Sequence, residues 1–212
     1  MGKAGNIPQI GWVIAFLGFA TLVAFAYSGL RGLRPAATPA RLAPIARVPD
    51  FHLLDQTGKP FGLADLEGKI WVASFIFTRC TGPCPLISSR MAEINKTVGR
   101  EGGGVGLVSF STDPGFDRPD VLAAYASKLG ADPARWKFLT GPQEDIEAVV
   151  VKGLLQPLAK EPDGTPAHST RLVLVDRRGR LRGCEDGGDP EAVQKLLMDI
   201  GDLLREDPSK EP

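Results

Sequence analysis

The run Ile70-Trp71-Val72-Ala73-Ser74-Phe75-Ile76-Phe77 constrains this chain more than any other stretch. It is apolar on both sides of a strand's alternation, and a short continuous run of that kind is a central strand buried on both faces. Such a strand needs a covering layer above and below. The expected fold is therefore α/β, a central mixed sheet with helices on both faces.

The residues that follow carry the chemistry. The chain reads Thr78-Arg79-Cys80-Thr81-Gly82-Pro83-Cys84-Pro85 and then turns amphipathic. Thiols at i and i+4 share one face of a helical turn, with Cβ atoms roughly 5–6 Å apart. At that separation both sulfurs bind one metal ion. A small backbone adjustment also allows a disulfide, which wants Cβ atoms near about 3.8 Å. The positive end of a helix dipole is expected to lower the pKa of a thiol beside it, and only the thiolate ligates metal or attacks a disulfide. The residues alone leave a metal site and a redox pair both open.

The remaining elements alternate. Phe51, Leu53 and Phe61 flank the turn Asp55-Gln56-Thr57-Gly58, a hairpin pattern that points His52 to solvent. Leu86, Ile87, Met91, Ile94 and Val98 recur at helical spacing, Val105 to Ser111 is a second core strand, and Asp117 and Pro119 open a helix. Trp136 to Leu139 is a short strand, followed by a helix around Asp145 to Val151. Gly164 to Ala167 is a loop leading to His168, and Arg171 to Val175 pairs with Leu181 to Cys184 around the turn at Asp176. Asp189 as cap and Pro190 as first helical residue begin the last helix, whose stripe is Val193, Leu196, Leu197, Ile200, Leu203 and Leu204. A dithiol at the start of the first helix of such a plan reads as a thioredoxin-like fold.

Ahead of this domain, residues Ala4 to Leu30 carry no charge. Residues 10–30, after a flank at 1–9, read as an N-terminal transmembrane helix in the lipid bilayer, with Trp12 and Tyr27 near its ends. A cleaved signal peptide is the alternative, with Ala24-Phe25-Ala26 as the small-residue site. Residues 31–47, with Pro35, Pro39 and Pro44, read as a Pro/Ala-rich linker to a domain at 48–206, and 207–212 as a polar tail. Arg31, Arg34, Arg41 and Arg47 follow the helix, and by the positive-inside rule they would hold the domain in the cytoplasm.

Charge excludes one class of partner. Lys plus Arg and Asp plus Glu number 25 each and no basic run occurs, so no nucleic-acid surface is expected. Three cysteines are too few for a disulfide-stapled scaffold. Of the two histidines, His168 is the better candidate for a third ligand beside Cys80 and Cys84, because it precedes a core strand. Copper(I) prefers thiolates and accepts imidazole. Cys184 reads as a small buried residue and Asp113 as a turn residue, with a third thiol and a site-supporting carboxylate as the alternatives.

Phe77 to Pro85, Ser111-Thr112-Asp113-Pro114, and His168-Ser169-Thr170 with Leu174-Val175-Asp176 and Gly179 resemble the Sco/SenC family, from about Val48 to Leu204. The resemblance implies a membrane-anchored copper protein with a thioredoxin-like domain. It also implies copper ligands at Cys80, Cys84 and His168, and delivery of copper to cytochrome c oxidase subunit II or another acceptor. By the same resemblance the domain is expected outside a bacterial cytoplasmic membrane, against the arginine count. The chain departs from the family pattern in having Thr81-Gly82-Pro83 between the cysteines, where Pro-Asp and an apolar residue are common, and in Cys184, where an aromatic is usual.

Two functions follow. The first is a metallochaperone holding Cu(I) or Cu(II). The second is an enzyme, a thiol–disulfide oxidoreductase in which Cys80 attacks, Cys84 resolves and a Cys80–Cys84 disulfide forms on oxidation.

Overall fold

The computed structural model describes residues 17–23, 42–100, 104–160, 166–167 and 169–206. The flank at 1–9, the expected span 10–30 apart from 17–23, the linker up to residue 41, His168 and the tail lie outside the described residues. The chain divides into two units, 1–37 and 38–212. In the first, residues 17–23 are helical, and the Thr21 hydroxyl donates to the carbonyls of Leu17 and Gly18. Among the described residues no helix is long and apolar enough to cross a membrane.

The second unit is built on a mixed sheet. Its strands are β1 (Ala46–Arg47), β2 (His52–Asp55), β3 (Pro60–Gly62), β4 (Ile70–Ile76), β5 (Val105–Ser111), β6 (Trp136–Thr140), β9 (Arg171–Val175) and β10 (Arg180–Asp186). A separate pair, β7 (Ala159–Lys160) and β8 (Pro166–Ala167), forms a small ribbon, although the sequence reads Pro166 and Ala167 as part of a loop. The large sheet runs β1-β10-β9-β4-β5-β6-β2-β3. β4, β5 and β6 are parallel neighbours, while β9 runs antiparallel to β4.

Every residue of β4 and β5 is buried, as a run without alternation requires. One face packs under α1 (Cys84–Arg100), α2 (Pro119–Lys128) and α4 (Ala192–Arg205) through Ile87, Met91, Ile94, Leu122, Val193, Leu196 and Ile200. The other is covered by Phe51, Leu53, Leu66, and Ile146, Val149 and Val150 of α3 (Gln143–Glu147) and the π-helical turns after it. The helices therefore lie on both faces, as predicted. Packed residues include Leu42, upstream of Val48, which is buried against the first face.

Three local expectations change. Leu86 is exposed, because Ile87, Met91, Ile94 and Val98 already fill the inward stripe of α1. The last helix starts at Ala192, later than Asp189-Pro190 predicts, because Asp189 first closes a turn. Its carboxylate accepts the Glu191 N–H at 2.9 Å and binds Lys195 at 2.8 Å. Cys184 is exposed: β10 runs on past β1, which covers only Arg180 and Leu181. His52 faces solvent as expected, and the β2–β3 turn is held by Asp55, which accepts the Thr57 and Lys59 N–H groups.

Candidate functional site

β4 ends at Ile76 and α1 begins at Cys84, so Cys80 sits in the connecting loop and the two thiols do not share a helical turn as the spacing predicts. The loop brings them together instead. The Cys80 N–H donates to the Phe77 carbonyl at 3.2 Å. The Cys84 thiol lies within hydrogen-bonding reach of the Cys80 thiol and of the Phe77 backbone. The burial is unequal: Cys84 is buried at the base and Cys80 is partly exposed at the mouth.

The helix dipole does not decide the ionisation of Cys84. Burial pushes its thiol up to about 12, the Phe77 backbone opposes the rise, and contact with Cys80 and the charge of Asp117 add to it. Taking a thiolate out of water costs more than one helix terminus returns. Cys84 thus stays a thiol at neutral pH unless a cation takes the proton's place.

The sequence points to few of the residues around the pair. Asp117 is read there as a helix opener. In the structure its carboxylate is buried and accepts hydrogen bonds from the Thr78 N–H at 3.1 Å, from the Thr78 hydroxyl and from the Ser111 hydroxyl at 2.7 Å. Asp113 is a turn residue, as the favoured reading has it, and it also pairs with Arg79. Its carbonyl closes the turn onto the Phe116 and Asp117 N–H groups, and its carboxylate accepts Arg79 Nε at 2.6 Å. The Arg79 guanidinium also lies 4.9 Å from the centre of the exposed Phe116 ring. Ser88, one turn beyond Cys84, shares a 2.8 Å hydrogen bond with the Tyr125 hydroxyl. Burial raises the Tyr125 pKa, the Ser88 bond opposes it, and the charges of both cysteines add to the rise. A Ser-x-Asp-x-x-x-Asp pattern after a core strand was the available signal for Asp117. Nothing in the sequence marked Tyr125 beyond its place on a helical stripe.

Strand register sets where the third predicted residue's segment joins the sheet. Trp71, Val72 and Ala73 of β4 pair with Val175, Leu174 and Val173 of β9. β9 therefore begins at the end where β4 finishes. Ser169, just before it, is buried; its hydroxyl donates to Gln156 Oε1 at 2.7 Å and accepts the Arg171 N–H at 3.1 Å. Gly187 closes the gap to α1: a methyl group there would sit 2.5 Å from Ile87 Cδ1 and 2.9 Å from the Thr170 carbonyl oxygen. His168 itself lies outside the described residues, and among the described residues no three His, Cys, Asp or Glu side chains converge as a metal-ligand set.

Comparison with known proteins gives the relationship. The SCO1/SenC family model matches residues 40–204. A SCO1/SenC family lipoprotein from Bacillus anthracis str. Ames is 34% identical with a TM-score of 0.71, covering 76% of this chain and 97% of that one. BsSco, a member of the Sco family of cytochrome c oxidase assembly proteins in which a disulfide switch was identified, is 30% identical with a TM-score of 0.68, covering 76% and 95%. The copper-bound ScoI of Bradyrhizobium japonicum is 25% identical with a TM-score of 0.62, covering 74% and 99%. With the dithiol at the end of a buried strand and a family match across nearly all of the second unit, this chain belongs to the SCO1/SenC family.

Proposed function

We propose that this chain is a membrane-anchored copper chaperone that holds the metal with Cys80, Cys84 and His168 and passes it to the copper centre of cytochrome c oxidase, with subunit II as acceptor. The observation that carries this reading is the meeting of two thiols, one buried and one partly exposed, at the end of β4. The register of β9 and the close approach of Thr170 and Ile87 at Gly187 support His168 as the third ligand, since both draw its segment toward the start of α1. Copper-bound ScoI and the oxidase-assembly role of BsSco support metal and destination. Residues 10–30 would anchor the chain in a bacterial cytoplasmic membrane as a single span, with the domain on its outer side.

The chemistry suits a cargo metal. Thiolates hold Cu(I) well and imidazole completes a low-coordinate set, while Cu(II) would add an oxygen ligand. Each thiol loses a proton as the metal enters. The buried Cys84 holds its proton until the metal displaces it, and a partly exposed Cys80 offers an incoming ligand a place to start exchange. Copper titration of the reduced full-length protein in detergent tests the reading. One copper per chain is expected, with a thiolate-to-copper charge-transfer band that Cys80→Ser and Cys84→Ser each abolish. Undiminished copper uptake by both variants would overturn it.

A second reading, thiol–disulfide reduction, is favoured by the same asymmetry. Cys80 is placed to attack a partner disulfide and Cys84 to resolve the mixed disulfide, releasing a partner dithiol and leaving Cys80–Cys84 oxidised. His168→Ala separates the two, because it should weaken copper binding and leave disulfide reduction intact.

A further inference from the structure

The loop from Phe77 to Pro83 sets Cys80 against Cys84, and a free loop of that length would not hold one geometry. The turn after β5 grips it at two successive residues. Asp113 holds Arg79 by an ion pair whose arginine side chain is 57% exposed, so water screens it and the grip is weak. Asp117 holds Thr78 differently. Its residue is 0% exposed, and it accepts the Thr78 N–H at 3.1 Å, the Thr78 hydroxyl and the Ser111 hydroxyl at 2.7 Å. A buried carboxylate is costly to leave short of donors, so these bonds are hard to break singly.

Asp117 is not spent on its own helix. α2 has Arg118 at its cap with no side-chain capping bond, and Pro119 opens it. The Asp117 backbone N–H is already used by the Asp113 carbonyl at 2.9 Å. Its donors come from the dithiol loop and from the last residue of β5, and Arg79, whose charge it feels, is ion-paired to Asp113 instead. The carboxylate thus ties the start of the Cys80 loop to the rigid end of a central strand.

We propose that Asp117 is the positioning residue of the dithiol: through Thr78 it fixes the loop that holds Cys80 against Cys84. This rests on the dithiol being the working site, but not on the metal. The test uses full-length protein in detergent with Asp117→Asn, Asp117→Ala, Thr78→Val and Thr78→Ser. One readout is the equilibrium between the dithiol plus glutathione disulfide and the Cys80–Cys84 disulfide plus two glutathiones. The other is the copper charge-transfer band. Asp117→Ala and Thr78→Val should each shift the disulfide equilibrium at least about tenfold and move the band. Asp117→Asn should lie between them and the parent, and Thr78→Ser should match the parent because it keeps both donors. A thermal-stability loss with equilibrium and band unchanged makes Asp117 a purely structural residue and overturns the proposal. If Asp117→Ala does not fold, the Thr78 pair decides: equal behaviour of Thr78→Val and Thr78→Ser overturns it, a difference supports it. If the parent takes up no copper, the copper reading fails while the disulfide equilibrium still judges Asp117.

Discussion

Both ends of the central sheet bury a carboxylate, and the two are held in opposite ways. At the hairpin end, Asp176 accepts the Arg178 and Arg180 N–H groups at 2.9 and 3.0 Å and the Arg180 and Arg182 guanidinium groups, each at 2.8 Å. Arg182, 1% exposed, also reaches Glu206 at 2.6 Å and the Leu42 carbonyl at 2.6 Å, joining the first and last described stretches of the domain. At the dithiol end, Asp117 has neutral donors alone and two thiols nearby. One end matches each charge with a countercharge. The other holds its carboxylate with hydrogen bonds from the dithiol loop and β5, and the Arg79 cation acts on it only through space. Burial is common to the two carboxylates; what differs is the kind of partner, guanidinium groups at one end and the hydroxyl and backbone donors of the dithiol loop and β5 at the other.

The largest expected effect is at the hairpin end. Arg182→Ala leaves Asp176 and Glu206 without their shared cation, and breaking a buried pair costs about 3–5 kcal/mol. Denaturant unfolding should show that loss, with the Cys80–Cys84 disulfide equilibrium unchanged. Movement of that equilibrium would mean that the two ends are coupled. Gly187→Ala comes next. The new methyl has backbone on one side and Ile87 on the other, so overpacking should cost about 1–3 kcal/mol, and the copper band should shift because Thr170 must move. A lower Tm with an unchanged band would separate packing from the site.

The two ends should also divide the pH range. For Asp176, burial alone would raise the carboxyl pKa, but the Arg180 N–H, the Arg182 guanidinium and the bonds from Arg178 and the Arg180 side chain outweigh it and hold it below the ordinary value. Its contribution is therefore present above the unfolded value of about 3.9 and is lost as pH falls through the folded one. Cys84 acts in the other direction. Its folded value is raised, so its contribution is whole below the unfolded thiol value of about 8.5. It falls away as pH rises toward about 12, since the unfolded chain gives up the proton first. In urea titrations Asp176→Asn should flatten the acid limb and Cys84→Ser the alkaline limb. The smallest effect belongs to Arg79→Ala, which should cost less than Gly187→Ala in denaturant unfolding because water screens its pair with Asp113. A larger loss would mean that the Arg79–Asp113–Phe116 contact holds the loop as firmly as Asp117 does.

The central strand, the helix stripes and the dithiol were legible because each follows from a local pattern: a run without alternation, a period near that of a helix, two thiols beside a proline. What the sequence misjudged depends on other elements. Cys84 looked activated from its own helix, yet the core residues packed over it set its proton affinity. Asp117 looked like a cap, yet its donors are Thr78, far back in the chain, and Ser111. Cys184 looked buried as a small residue at the end of the hairpin, but exposure there depends on how far β1 extends. Gly187 carried no signal, since only the approach of α1 to the entry of β9 requires it.

X-ray absorption on the copper-loaded, reduced full-length protein tests the site most directly, because it counts the atoms around the metal. The expected shell is two sulfurs and one imidazole nitrogen, with a sulfur lost in Cys80→Ser or Cys84→Ser and the nitrogen lost in His168→Ala. A shell without a nitrogen ligand, or one that His168→Ala leaves intact, would contradict the site proposed for this chain.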